Sequence, residues 1–141
     1  MNYTQAQLLK LTGMSLDRLR HWRKEIPGLR QRAGRKAELS FEEVALLAVL
    51  SRATDELGLS VALFASQYDD LLADFEDNPD IGDEQTVLWL APGKAIIGNI
   101  ANPPAAEVLA LLRIAPIVAR LVAEVRRPTS RQLRLFADAA T

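Results

Sequence analysis

Between Ser15 and Glu25 the chain reads SLDRLRHWRKE. At about 100° per residue, helical spacing gathers Asp17, Arg20, His21 and Lys24 on one face, with Arg18 on its flank. That face is short, rich in N–H donors and cationic. Its chemistry suits phosphate oxygens and the edges of nucleobases, and it has no group poised to break a bond. Leu19, Trp22 and Ile26 recur on the opposite side as an apolar stripe. Asp17 is the lone acid on the cationic face, and suits the positive end of the helix dipole or a cytosine amine.

Other chemistries find little to work with. His21 is the single histidine and there are no cysteines, so disulfides, thiolate metal sites and cysteine-based sensing are excluded. No Ser/His/Asp set or metal-ligand spacing is visible. Gly93 and Gly98 do not form a phosphate-cradling loop pattern. The carboxylates of residues 77–84 lack the register of a calcium-binding loop. The expectation is a protein without catalytic residues, metal or cofactor.

The cationic face needs a helix to carry it and a scaffold to hold that helix. Ser15 is a good N-cap for the helix, because its hydroxyl can accept from an unpaired first-turn N–H. Ahead of it, Thr4 followed by Gln7 is a capping-box pattern, which predicts a first helix from Gln5. Leu8, Leu9 and Leu11 supply its buried side, and Gly13 suits the left-handed residue that ends it. Two short helices joined by a three-residue turn containing Gly make a helix-turn-helix, whose second helix enters a major groove. Ile26-Pro27-Gly28 then reads as a turn. The runs Leu29–Arg32 and Arg35–Leu39, either side of Ala33-Gly34, predict a small hairpin or wing tipped by Arg32, Arg35 and Lys36.

The order YT…LLKLTGMSLDRLRHWRKEIPGL…RAGR…SFEEV…LGLSV resembles the winged helix-turn-helix domain of MerR-type transcription regulators over roughly residues 3 to 75. In that family a Leu-Arg pair followed by two aromatics ends the recognition helix, and a wing arginine follows. The matching residues are Leu19-Arg20, His21-Trp22 and Arg35. Arg23 stands where an acidic residue is usual, the wing arginine lacks its usual following tyrosine, and no long coiled-coil dimerisation helix is obvious. The resemblance implies duplex DNA as partner.

Onward, Ser40 and Glu43 form a second capping-box pattern that opens a helix from Phe41 to about Leu57, closed by Gly58. Val44, Leu46, Leu47 and Leu50 give it a broad apolar side. Ser60 caps a helix expected to run to about Glu76, with Phe64, Tyr68, Leu71, Leu72 and Phe75 as its stripe. Those aromatics suit core or dimer packing, or the lining of an effector pocket. Residues 77–84 are acidic and turn-rich, a linker between residues 1–77 and a region spanning 85–127. In that region Thr86–Leu90 and Ala95–Ile100 read as a hairpin turning at Pro92-Gly93. A helix carrying Val108, Leu109, Leu111 and Leu112 is expected next, with Pro104 in its first turn. Ala115-Pro116 interrupts or kinks it, and a further run, Ile117 to Val125, follows. This region fits dimerisation, docking on the first half, or an apolar ligand.

The net charge of −1 hides a strong asymmetry. Residues 1–40 carry nine Lys/Arg against three Asp/Glu, residues 41–112 two against thirteen, and residues 113–141 six against two. A cationic reading face can therefore bind phosphates even though the whole chain is acidic. The acidic middle is expected to face away from DNA or towards a basic partner. No apolar run approaches the roughly 20 residues needed to span a bilayer. With no signal peptide visible, a cytoplasmic, nucleoid-associated protein is expected.

The tail, residues 128–141, holds Gln132-Leu133-Arg134-Leu135-Phe136. It resembles the Gln-Leu-x-Leu-Phe peptide by which bacterial replication and repair proteins dock on the sliding clamp, with Gln132, Leu133, Leu135 and Phe136 as the matching positions. A short amphipathic helix, capped by Thr129 with Gln132, fits the same residues. Together these readings predict a mainly α protein: a winged helix-turn-helix, further helices, and a small β-hairpin plus helices in the C-terminal half. The expected function is sequence-specific transcription regulation by a homodimer on duplex DNA, read by Arg18, Arg20, His21, Lys24, Arg32, Arg35 and Lys36. A phage-type excisionase or architectural DNA-binding protein, and a clamp-recruited adaptor in replication or repair, are the alternatives.

Overall fold

A computed structural model describes residues 2–30, 38–78, 81–105 and 107–126. Strand β1 (Asn2–Tyr3) leads into helix α1 (Gln5–Thr12) through an extended Thr4. Both bonds of the capping box form: Gln7 N–H donates to Thr4 Oγ1 (3.3 Å), and Thr4 N–H donates to Gln7 Oε1 (2.8 Å). Gly13 ends α1 at φ 71°, a left-handed conformation that only glycine adopts without strain. Ser15 Oγ then accepts from Arg18 N–H (3.1 Å) and opens helix α2 (Leu16–Glu25). Leu19, Trp22 and Ile26 are buried, as their spacing predicts.

The chain beyond α2 departs from the sequence reading. Residues 26–28 are not a simple turn and Leu29-Arg30 do not begin a strand, because Pro27–Arg30 form a short helix, α3. Ile26 is extended (φ −107°, ψ 106°), as a residue before proline prefers, and Pro27 occupies a first helical position, where a missing N–H costs nothing. Gly28 lets α3 lie close to the chain near Tyr68 and Asp69, since a Cβ there would collide with Asp69 Oδ1. Residues 31–37, which include the expected wing residues Arg32, Arg35 and Lys36, lie outside the described residues. The chain re-enters as β2 (Leu39–Ser40), which pairs antiparallel with β1 (Tyr3↔Leu39).

Ser40 caps α4 (Phe41–Leu57), accepting from Glu43 N–H (3.2 Å), and Gly58 closes the helix at φ 68°. Helix α4 is buried without a break from Glu43 to Ser51. Such a stretch is buried all round and must be covered on every side. Burying Val44, Leu46, Leu47, Val49 and Leu50 supplies about 1.5–3 kcal/mol each. A cap contributes only about 1 kcal/mol. The caps therefore fix where the helices begin and end, and the core holds them together.

The single helix expected after Ser60 is divided into α5 (Val61–Ala65) and α6 (Tyr68–Asp77). Gln67 sits at the break. Its N–H bonds Phe64 O (3.0 Å), and its Oε1 accepts from Ala95 N–H (2.8 Å). Breaking the helix there lets Phe64 meet the Trp22 ring edge-on, at 5.2 Å and 71°, while α6 packs on α4.

The hairpin forms as predicted: β3 (Thr86–Ala91) and β4 (Lys94–Asn99) pair from Thr86↔Asn99 to Ala91↔Lys94. Pro92 fixes the entry to the turn and Gly93 takes φ 74°. The helix expected through Val108–Leu112 is instead a third strand, β5 (Ala110–Arg113), antiparallel to β3 (Trp89↔Leu111, Leu88↔Leu112). A short leucine-rich run has no decisive period of its own, and β3, buried along its whole length, requires a neighbour on both edges. Ala115-Pro116 consequently starts a helix where an interruption was expected. Helix α7 (Ala115–Arg126) packs on α1 and α4.

The protein is thus mainly helical with small antiparallel sheets. Its buried residues run continuously from α1 and α2 through α4 to Leu88, Leu90, Ile114, Val118 and Leu121. Among the described residues no helix is long and apolar enough to cross a membrane. The tail residues Gln132, Leu133, Leu135 and Phe136 lie outside the described residues.

Trp22 is 2% exposed and backs the whole of α2. Trp22→Ala is expected to lower unfolding free energy by about 3–5 kcal/mol, measured by urea denaturation. A variant with wild-type stability would mean that the indole is not the anchor of α2.

Candidate nucleic-acid interface

The capped start and buried stripe of α2 fix which way its remaining residues look. Asp17, Arg20, His21 and Lys24 are all exposed, whereas Leu19 and Trp22, interleaved with them, are buried. The four residues gathered by sequence spacing therefore share one outward surface. Among the described residues Arg20 and His21 make no side-chain hydrogen bond or ion pair, so their donors are open to a ligand. Asp17 lies in the first turn and Lys24 in the last, each at the helix end its charge favours.

Arg18 is placed differently. Its Nη1 donates to Ser51 Oγ (3.0 Å) and its Nη2 pairs with Asp55 Oδ1 (2.7 Å), both on α4. The guanidinium is directed onto the scaffold and ties the first turn of α2 to the central helix. The hydrogen bond from Arg18, reinforced by the charges of Arg18 and Arg52, holds the Asp55 carboxyl below its ordinary value. Ser51 and Asp55 were not singled out from sequence. The available signal was their i, i+4 spacing, which places a hydroxyl and a carboxylate one above the other on α4.

Arg23 makes a second tie. Its Nη1 donates to Gln5 Oε1 (2.7 Å) and joins α2 to α1. Burial lowers its pKa, because the charged form is partly desolvated. The basic residue at this position thus links the two helices of the pair.

Among the described residues, two crevices are lined by residues other than Arg20, His21 and Lys24. One, of about 180 Å³, lies between α1, α4 and α7 and is lined by Leu11, Thr12, Ser51, Asp55 and Arg120 among others. Its wall includes the two residues that hold Arg18. The other, of about 500 Å³, opens where α6 meets the sheet and is lined by Asp74, Asp77, Asp83 and Asn99 among others. Partial burial and the neighbouring charges of Asp70 and Asp77 raise the Asp74 pKa. Among the described residues no three His, Asp or Glu side chains converge as ligands for a metal ion. Comparison with protein-family models, with curated proteins and with solved structures finds no match.

The Arg18–Asp55 pair can be isolated by a double-mutant cycle with Arg18→Ala and Asp55→Ala, which is expected to give a coupling of about 0.2–1 kcal/mol at neutral pH. Because the folded carboxyl titrates below its ordinary value of 3.8, the pair's contribution is complete above that value. It is lost as pH falls through the lowered folded value. A coupling that persisted unchanged in acid beyond that range would show that the ion pair is not its source.

Proposed function

We propose that this protein binds duplex DNA sequence-specifically as a winged helix-turn-helix transcription regulator of MerR-like type, with α2 as its recognition helix. The observation that carries the reading is the outward surface of Arg20, His21 and Lys24, on a short helix whose back is seated by Leu19, Trp22 and Ile26. That helix follows another through a three-residue turn, the arrangement in which a second helix enters a major groove. In this reading Arg20 and Lys24 meet phosphates and His21 reaches a base edge or a further phosphate. Arg18, on the flank of this face, positions the helix through Ser51 and Asp55. Arg32, Arg35 and Lys36 of the wing approach the adjacent backbone or minor groove. One short helix reads few base pairs, so two copies on paired half-sites supply the specificity of a regulator.

Selection of bound genomic fragments, followed by titration of the recovered site at several salt concentrations, tests the proposal. Wild-type protein is expected to recover a discrete site with paired half-sites. Arg20→Ala and Lys24→Ala are each expected to weaken binding and to lower the salt slope by about 1. Affinity and slope unchanged in both folded variants would overturn the assignment of the face. Recovery without sequence preference would favour an architectural DNA-binding role over a regulatory one.

A further inference from the structure

Strand β5 is one edge of its sheet, with β3 on its inner side and no strand on its outer side among the described residues. The opposite edge, β4, is covered: α5 and α6 pack on it, and Gln67 takes up the Ala95 N–H. Among the described residues no helix packs along β5 to a similar extent. An open edge is a ready template for another chain unless it is blunted by charge or covered.

The residues along this edge are unusually apolar for an exposed segment. Leu109 is 65% exposed, Leu111 38% and Val108 36%, so three of the five large hydrophobic side chains most open to solvent among the described residues fall in one short stretch. Leu109 N–H donates to Leu90 O (2.8 Å), which fastens the approach to β5 along the same sheet edge.

The order of residues in this stretch identifies what covers it. Residues 107 to 113 read Glu-Val-Leu-Ala-Leu-Leu-Arg. About Ala110 the stretch mirrors itself: leucine on each side, then Val108 and Leu112, then Glu107 and Arg113 with opposite charge. An antiparallel neighbour of identical sequence, related by a two-fold axis at Ala110, would set leucine against leucine. It would also set Glu107 of each copy against Arg113 of the other. Glu107 and Arg113 are both exposed, and neither makes an ion pair within the described chain. A self-complementary patch of this kind is what a symmetric dimer interface requires.

We infer that β5 and the residues leading into it form a homodimer interface, in which two copies join edge to edge about Ala110. The partner is a second copy of this chain. The two three-stranded sheets become one, in the order β4-β3-β5-β5-β3-β4. Apolar cross-strand pairs supply the affinity, and the two Glu107–Arg113 pairs fix the register. This surface shares with the DNA-binding reading only the need for two copies, and its test uses no DNA.

The experiment is sedimentation of the full chain and three variants, Glu107→Arg, Arg113→Glu and the double swap. Circular dichroism serves as the folding control. Wild type is expected to dimerise. Each single variant brings like charges together twice and is expected to weaken the dimer by about tenfold or more. The double swap restores opposite charges and the homodimer. Mixing the two single variants is expected to yield a heterodimer, because one chain then carries arginine at both positions and the other carries glutamate at both. That recovery also shows that both variants fold. Monomeric wild type, single variants that dimerise like wild type, or single variants that stay apart when mixed would each overturn the inference.

Discussion

The unbroken burial of α4 from Glu43 to Ser51 is the constraint on which the rest of the structure depends. An ordinary surface helix needs cover on one stripe, but this one needs it around its circumference. Helix α1, helix α6 and helix α7 each take a sector, and the β1–β2 pair covers the N-terminal end. Hydrophobic burial has no direction, so it brings these elements together without fixing their orientation. Orientation comes from polar ties at the periphery, chiefly Arg18 to Ser51 and Asp55, Arg23 to Gln5, and Gln67 to Ala95.

Those ties bear on how α2 presents its face. Trp22 and Leu19 set how deeply the helix sits, while Arg18 at one end and Arg23 near the other limit its rotation. If α2 reads DNA as proposed, it gains from both restraints, because its contacts are useful only if the donors are already aimed when the ligand arrives. Two of the basic residues in this segment, Arg18 and Arg23, therefore make contacts within the chain.

The parts of the fold legible in the sequence were those decided locally. Thr4 with Gln7, Gly13, Ser15, Ser40 with Glu43, and Gly58 each mark a helix end through a bond or a backbone conformation within a few residues. Pro92-Gly93 does the same for the hairpin. The features that escaped were decided by distant partners. The helix that propensity would continue breaks at Gln67, whose side-chain oxygen accepts from Ala95, 28 residues on. Leu111 and Leu112 become strand because β3 has a free side. The outward face of α2 was legible from its own period, but the inward turn of Arg18 was not, since its partners lie 33 and 37 residues away on α4.

The join between β5 and α7 has a mechanical consequence. A single residue, Ile114, separates the last residue of the strand from the first of the helix, and it is fully buried. Its carbonyl also accepts from Ile117 and Val118, so the strand ends by bonding directly into the first turn of α7. The strand and the helix are thus joined with no intervening loop. Helix α7 bears on both α1 and α4. Any displacement of the sheet edge would therefore reach α1 and α4 by way of α7.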